Sequence, residues 1–164
     1  MKYFVLSMMF AAIVPSAVAQ MTAIDSVTHK EILIGPVERS AFDRTNWYRS
    51  NSDLYAPTAA LIRDIDSLDA GDSVAVVFGS WCPDSHMWLP IFLSITDSTS
   101  LARKIGFIAV PRSKEGREKL TPGLDIEKVP TFIFYRGGKE IGRIVEEPKG
   151  DIGENIVNIL KGGN

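Results

Sequence analysis

Residues 78–85 read Phe-Gly-Ser-Trp-Cys-Pro-Asp-Ser and contain Cys82, the only cysteine in this chain of 164 residues. The run before them, residues 73–78, is Val-rich and almost continuously apolar, which is typical of a strand buried on both faces of a sheet. Pro83 suits the first position of a helix, because its missing N–H would have no partner there. The stretch therefore predicts a buried strand that leads into a helix with Cys82 at its N-terminus.

A cysteine at a helix N-terminus is a candidate nucleophile, because unpaired backbone N–H groups and the helix dipole stabilise the thiolate. Ser85 lies one helical turn after Cys82, and with no second cysteine the chain cannot form an internal disulfide. We expect the Ser85 hydroxyl to offer its proton to the thiolate. Asp84 and His86 are candidate modulators of the thiol's ionisation. Asp84 opposes the charge, and His86 pairs with it when protonated or is simply a surface histidine.

The remaining sequence predicts an α/β domain with a central mixed β-sheet and helices on both faces. The predicted elements are, in chain order, a helix over 57–68, the strand 73–78, a helix from 83 to about 95, a strand over 106–110, a polar connection over 111–128, strands over 131–135 and 140–146, and a helix from 151. Gly137 and Gly138 suit a tight hairpin turn between the last two strands. Asp151 and Glu154 form a capping pattern at the start of the final helix.

The first part of the chain carries a targeting pattern and then an extension. Residues 1–19 have Lys2 as their only charge, an apolar run and a small-residue ending, so we expect a cleaved signal peptide. Residues 20–50 form an N-terminal extension, predicted to be a strand or loop followed by a short helix packed on the domain, and residues 51–164 form the domain itself. We therefore expect an exported protein, periplasmic or extracellular, with no stable membrane insertion after cleavage.

Composition excludes several other functions. The formal net charge of −2 and the absence of a basic cluster argue against nucleic-acid binding. One cysteine and two histidines do not suit a zinc site of Cys and His ligands, so we expect no metal and no cofactor.

Three features in this order resemble the thioredoxin superfamily over roughly residues 57–161. They are Trp81-Cys82-Pro83-Asp84-Ser85 after the buried strand, Val129-Pro130-Thr131, and the hairpin strands over 132–142. The resemblance implies a cis peptide bond between Val129 and Pro130 that faces the thiol. It also implies a substrate groove formed by Trp81, Pro83, Val129 and Pro130, in which an extended substrate pairs with the backbone beside Cys82.

Two departures from that family limit the expected chemistry. Ser85 replaces the resolving cysteine, and Val76 stands where thioredoxins carry a buried acid. We favour a monothiol exchange protein whose partner is a disulfide- or thiol-containing protein or a low-molecular-weight thiol, with an external thiol to resolve the mixed disulfide. One alternative is a redox-inactive module that binds an extended peptide or a partner protein. Another is a sensor in which peroxide oxidises Cys82.

Overall fold

The structure is a computed structural model that describes residues 20–162, so the predicted signal peptide over 1–19 lies outside the described residues. Its elements are, in chain order, β1 Thr22–Ile24, β2 Glu31–Leu33, β3 Gly35–Val37, a 3-10 helix Arg39–Arg44, α1 Asn46–Asn51, α2 Ala59–Leu68, β4 Ser73–Phe78, α3 Pro83–Thr96, a 3-10 helix Ser100–Lys104, β5 Ile105–Ala109, α4 Lys114–Leu120, β6 Thr131–Arg136, β7 Lys139–Val145 and α5 Ile152–Leu160.

The central sheet has five strands in the order β3-β5-β4-β6-β7. β4 runs parallel to β5 and antiparallel to β6, while β3 and β7 pair antiparallel at the two edges. In this register Val76 lies between Phe107 and Phe132. The predicted fold class, an α/β fold with a central mixed sheet, is confirmed.

Alternate residues of β4 fill two separate apolar clusters, as expected for a strand buried on both faces. Val74, Val76 and Phe78 belong to the larger cluster, which also contains the buried side chains of α2, α3 and α5. Val77 belongs to a smaller cluster on the other face, with Cys82 and side chains of α4 and of the loop that follows it. The Cys82 side chain therefore lies on the face covered by α4.

Residues of the predicted extension supply part of this architecture. β3 is an edge strand paired with β5, and it accommodates Pro36 because an edge strand leaves one side without ladder hydrogen bonds. Phe42, in the first 3-10 helix, is fully buried and packs edge-on against Phe78 and Phe107, with ring centroids 5.3 and 5.0 Å away. The central sheet and its core therefore continue into residues 35–48.

The connection over 111–128, predicted as a polar connection between strands, contains a helix. α4 spans Lys114–Leu120 and is capped by Ser113, whose Oγ accepts a hydrogen bond from the Gly116 N–H. None of its residues is fully buried, so it lacks the apolar periodicity by which a helix is recognised in a sequence. In contrast, the predicted hairpin glycines and the Asp151 cap are present, with φ of 57° at Gly137 and 80° at Gly138.

No helix between residues 20 and 162 combines the length and the apolar character needed to cross a bilayer.

Phe42→Ala should destabilise the whole domain, because it empties a fully buried aromatic site between the first 3-10 helix and the sheet. We expect the free energy of unfolding to fall by about 3–5 kcal/mol, measured by urea denaturation. Leu54→Ala is the matched control, since Leu54 is 54% exposed and its truncation should change stability by no more than about 0.5 kcal/mol. A Phe42→Ala loss as small as that of the control would mean that the 3-10 helix is not part of the cooperative core.

Candidate functional site

Cys82 is the N-cap residue of α3, with Pro83 in the first helical turn, as the sequence predicts. The Cys82 N–H donates to the Gly79 carbonyl at 2.9 Å, and the Cys82 carbonyl accepts the His86 N–H at 3.1 Å. The thiol itself forms no cap hydrogen bond with the first turn of α3. The backbone of Cys82 therefore forms the N-terminal cap of α3, while its sulfur takes no part in the cap.

The sulfur contacts the segment around Pro130. The peptide bond between Val129 and Pro130 is cis, as predicted. Cys82 Sγ donates to the Val129 carbonyl oxygen at 3.3 Å, and Cys82 is 6% exposed. Within residues 20–162 the Val129 N–H has no hydrogen-bond partner, whereas the Pro130 carbonyl accepts the Glu146 N–H at 2.7 Å. A thiol and a backbone edge thus meet at one point.

Ser85 supports the turn that precedes α3. Its side chain is fully buried, and its Oγ accepts a hydrogen bond from the Gly79 N–H at 3.2 Å. The buried Gly79 N–H, just past the end of β4, requires such an acceptor. The Ser85 hydroxyl keeps its own proton, so its donation to the Cys82 thiolate stays a prediction.

His86 also contacts this turn. Its Nε2 lies 2.8 Å from the Ser80 carbonyl oxygen, which can only accept, so Nε2 carries the proton. The ring stacks on Trp47 with centroids 4.7 Å apart and an interplanar angle of 13°. The side chain of His86 therefore contacts Ser80 and Trp47 in this structure. Of the two roles considered for it, pairing of a protonated His86 with the Cys82 thiolate stays a prediction.

Asp84 is exposed in the first turn of α3 and acts on a neighbouring cation. The pKa of Lys128 is raised chiefly by its hydrogen bond to Glu146 at 2.5 Å, and the negative charge of Asp84 adds to this effect. Because Lys128 directly precedes Val129, the charged groups of Asp84, Lys128 and Glu146 border the backbone edge beside the thiol. Asp84 thus remains a candidate modulator of the site.

Trp81 is held on three sides. Its Nε1–H donates to the Val110 carbonyl at 2.8 Å, and the Arg112 guanidinium lies over the ring, 4.1 Å from the centroid. Gly79 allows the close approach, because a Cβ at that position would lie 2.7 Å from Trp81 Cε2. The half-buried indole packs on the smaller cluster that contains Cys82. Trp81 and Pro83, which is exposed, are thus next to the thiol, as predicted.

Sequence reasoning missed two residues near Trp81. Arg112 Nε donates to Asp25 Oδ1 at 2.8 Å, and Asp25 is 1% exposed. The two residues are 87 positions apart, one before β2 and the other after β5, so no local pattern links them. The pairing of Asp25 with Arg112 could be predicted only by knowing that the β1–β2 hairpin lies next to the end of β5.

Asp25 is strongly stabilised in its ionised form. Hydrogen bonds from the Thr28 hydroxyl, the largest effect, and from Arg112 lower the pKa of its carboxyl from 3.8 to about 2. The hydroxyl donates at 2.7 Å, and the Thr28 N–H donates to the same oxygen at 3.0 Å. These contacts keep Asp25 anionic opposite Arg112 under ordinary conditions.

Among the described residues, no group of three or more His, Cys, Asp and Glu side chains is arranged to hold a metal ion.

Fold and site together define a thioredoxin-like protein: a mixed sheet, a cysteine at the N-cap of the helix after its central strand, and a cis-proline beside the sulfur. No protein-family model matches the chain. A thioredoxin of Malassezia sympodialis is 31% identical over 77 residues, which cover 46% of this chain and 70% of that protein. Thioredoxin-2 of Saccharomyces cerevisiae is 31% identical over 81 residues, covering 48% of this chain and 73% of that protein.

The chain belongs to the thioredoxin superfamily, and this membership supports a thioredoxin-like redox function in general. Similarity to solved structures is lower. The oxidised thioredoxin O2 of Arabidopsis thaliana is 19% identical, with a TM-score of 0.38, and the match covers 63% of this chain and 85% of that chain.

The depressed pKa of Asp25 predicts a specific dependence of stability on pH. Because the pKa is lower in the folded chain than in the unfolded one, the ionised carboxylate stabilises the fold above about pH 4, and this contribution is lost as the pH falls towards 2. Chemical denaturation at pH 7 and near pH 2.5 should show that Asp25→Asn lowers stability at pH 7 and makes a smaller difference at low pH. An equal difference at both values would mean that the carboxylate's charge contributes nothing.

Proposed function

We propose that this protein is a monothiol thiol–disulfide exchange protein in which Cys82 is the nucleophile and an external thiol resolves the mixed disulfide. The observation that carries the proposal is the position of Cys82 Sγ, 3.3 Å from the Val129 carbonyl oxygen beside the cis-proline. This is a position from which the sulfur can attack a disulfide placed along that backbone edge. Family membership supports the reaction class, and the single cysteine supports the one-thiol mechanism.

The proposed reaction has two balanced steps. The Cys82 thiolate attacks one sulfur of a disulfide R–S–S–R′, so the bond between Cys82 and R–S forms while R′–S⁻ leaves. An external thiolate then attacks the mixed disulfide at the sulfur of R, and Cys82 leaves as thiolate. With glutathione as the external thiol, R′ is released as a thiol and R is left in a mixed disulfide with glutathione. Where R is itself glutathione, the products are oxidised glutathione and the fully reduced partner R′. The chain itself gains and loses no electrons over a cycle.

The Val129 backbone provides the place for a substrate. Its N–H has no partner in the described residues, and its carbonyl accepts only the Cys82 thiol proton among them. An extended segment that pairs with Val129 would donate to that carbonyl and would release the thiol from its hydrogen bond. Substrate pairing and the release of the sulfur for attack therefore use the same oxygen.

Ser85 explains why resolution must come from outside. The residue is fully buried, its hydroxyl accepts the Gly79 N–H, and it carries no sulfur that could attack a mixed disulfide on Cys82. Cysteine at this position would place a second sulfur one helical turn from the first. That geometry is compatible with a disulfide within the motif, as in dithiol members of the family.

Incubation of the purified protein with oxidised glutathione should add one glutathione to Cys82 and no more, as measured by intact mass. Ser85→Cys should instead lose the adduct and form an internal disulfide. Ser94→Cys is the matched control, because Ser94 lies on the same helix about 18 Å along the axis from Cys82 and cannot resolve the adduct.

Cys82→Ala should abolish the adduct. A wild-type chain that forms no adduct, and whose binding to a partner survives Cys82→Ala, would favour the alternative, a redox-inactive module that binds an extended peptide. Reagent-accessible Cys82 with no exchange would contradict the monothiol mechanism in the same way.

We also propose that the protein is exported and acts in the periplasm or outside the cell, after removal of residues 1–19. The support is the composition of that segment, with one charge and a small-residue ending. Intact mass of protein recovered from the periplasm of an expressing bacterium should correspond to a chain that begins at Gln20. A cytoplasmic, full-length product would overturn this proposal and would leave the thiol chemistry untouched.

A further inference from the structure

The hairpin of β1 and β2 is attached to the Cys82 site at two points. The Leu33 N–H donates to Ser80 Oγ at 2.9 Å, and Asp25, in the hairpin turn, accepts a hydrogen bond from Arg112 Nε at 2.8 Å. Asp25 is itself fixed, since its N–H donates to Lys30 and its carbonyl accepts the His29 N–H. The hairpin turn is thus held by its own hydrogen bonds, and the buried Asp25 carboxylate binds Arg112.

Arg112 transmits this support to the indole beside the thiol. Its guanidinium carbon lies over the Trp81 ring, 4.1 Å from the centroid, and a cation over an indole face is attracted by the ring's charge distribution. The backbone of Arg112 is held as well, because Arg117 Nη1 donates to its carbonyl at 2.6 Å. Arg112 is therefore held at its backbone by Arg117 and at its guanidinium by the ionised Asp25.

We infer that Asp25 and Arg112 are positioning residues of the Cys82 site, which fix Trp81 in advance as one wall of the substrate groove. The inference rests on the proposed function. With Trp81 immobilised before binding, a substrate does not have to order the indole itself. Preorganisation of this kind strengthens binding and leaves the chemical step unchanged.

The same fold offers a matched control for the loss of a buried carboxylate. Asp72 is fully buried and accepts two hydrogen bonds from Arg136, each at 2.7 Å. Asp72 precedes β4, whereas Cys82 follows it, so the control pair lies at the opposite end of the strand, about 20 Å away. Asp72→Asn therefore reports the cost of losing such a pair without touching Trp81.

The test compares Asp25→Asn with Asp72→Asn in two measurements. The first is acrylamide quenching of Trp81, obtained as the difference between each protein and its Trp81→Phe counterpart. The second is the kinetics of reduction of a short peptide that carries a glutathione mixed disulfide, with reduced glutathione held in excess. We expect Asp25→Asn to increase quenching of Trp81 and to raise KM about 3- to 10-fold with kcat nearly unchanged. Asp72→Asn should lower Tm without either effect.

Arg112→Lys tests the planar guanidinium separately from the positive charge, because lysine keeps only the charge. Lysine keeps a positive charge for Asp25 but cannot lie flat on the indole, so quenching and KM should rise while Tm falls less than in Asp25→Asn. Quenching and KM in Asp25→Asn and Arg112→Lys that match the Asp72→Asn values would overturn the inference. A wild-type protein that does not reduce the peptide would overturn the proposed function instead, and the quenching comparison would still decide whether Asp25 and Arg112 fix Trp81.

Discussion

The turn between β4 and α3 is the constraint on which the rest of the site depends. β4 is buried on both faces, so the backbone groups at its end need partners within the protein. The Phe78 carbonyl accepts the Val110 N–H at 2.9 Å, and the next residue, Gly79, donates to Ser85 and accepts from Cys82. These bonds start α3 at Pro83 and direct the Cys82 sulfur towards Val129.

Residues of the N-terminal region also contact the turn between β4 and α3. Both oxygens of Ser80, in that turn, accept hydrogen bonds: the hydroxyl from the Leu33 N–H and the carbonyl from His86 Nε2. The His86 ring in turn rests on Trp47, which packs against Phe42 in the central core. The segment before α2 is therefore joined to the turn after β4 by a continuous path of contacts. Without this segment, the Ser80 hydroxyl would lose the Leu33 N–H and the His86 ring would lose Trp47.

The sequence predicted the parts of the fold that have a local cause. The Val-rich strand, the proline at the helix start, the hairpin glycines and the Asp151 cap each follow from residues close together in the chain, and all four are present. The motif around Val129 and Pro130 predicted the contact with Cys82 because it belongs to a known family. Helical spacing predicted that Ser85 and His86 share a face with Cys82. It could not show that the Gly79 N–H and the Ser80 carbonyl would bind their side chains.

The parts that could not be predicted depend on long-range pairing. β3 is three residues long and contains a proline, and its membership of the sheet arises from pairing with β5. Asp25, Arg112 and Trp81 come together only because the sheet brings the end of β5 beside the end of β4. No local pattern singles out this aspartate and this arginine among the charged residues, since both residue types are usually solvated.

The contact between Cys82 and Val129 also determines how a substrate would reach the single thiol in the proposed reaction. The Cys82 Sγ lies 3.3 Å from the Val129 carbonyl oxygen, so the sulfur and the backbone edge that would hold a substrate are in direct contact. At 6% exposure the sulfur is also poorly accessible to a reagent that does not engage the backbone edge. In the proposed reaction a segment that donates to the Val129 carbonyl removes the thiol's acceptor and brings its own sulfur into range in one event. A disulfide on an extended chain meets both conditions in the proposed reaction, because its backbone pairs with Val129 while its sulfur lies beside Cys82.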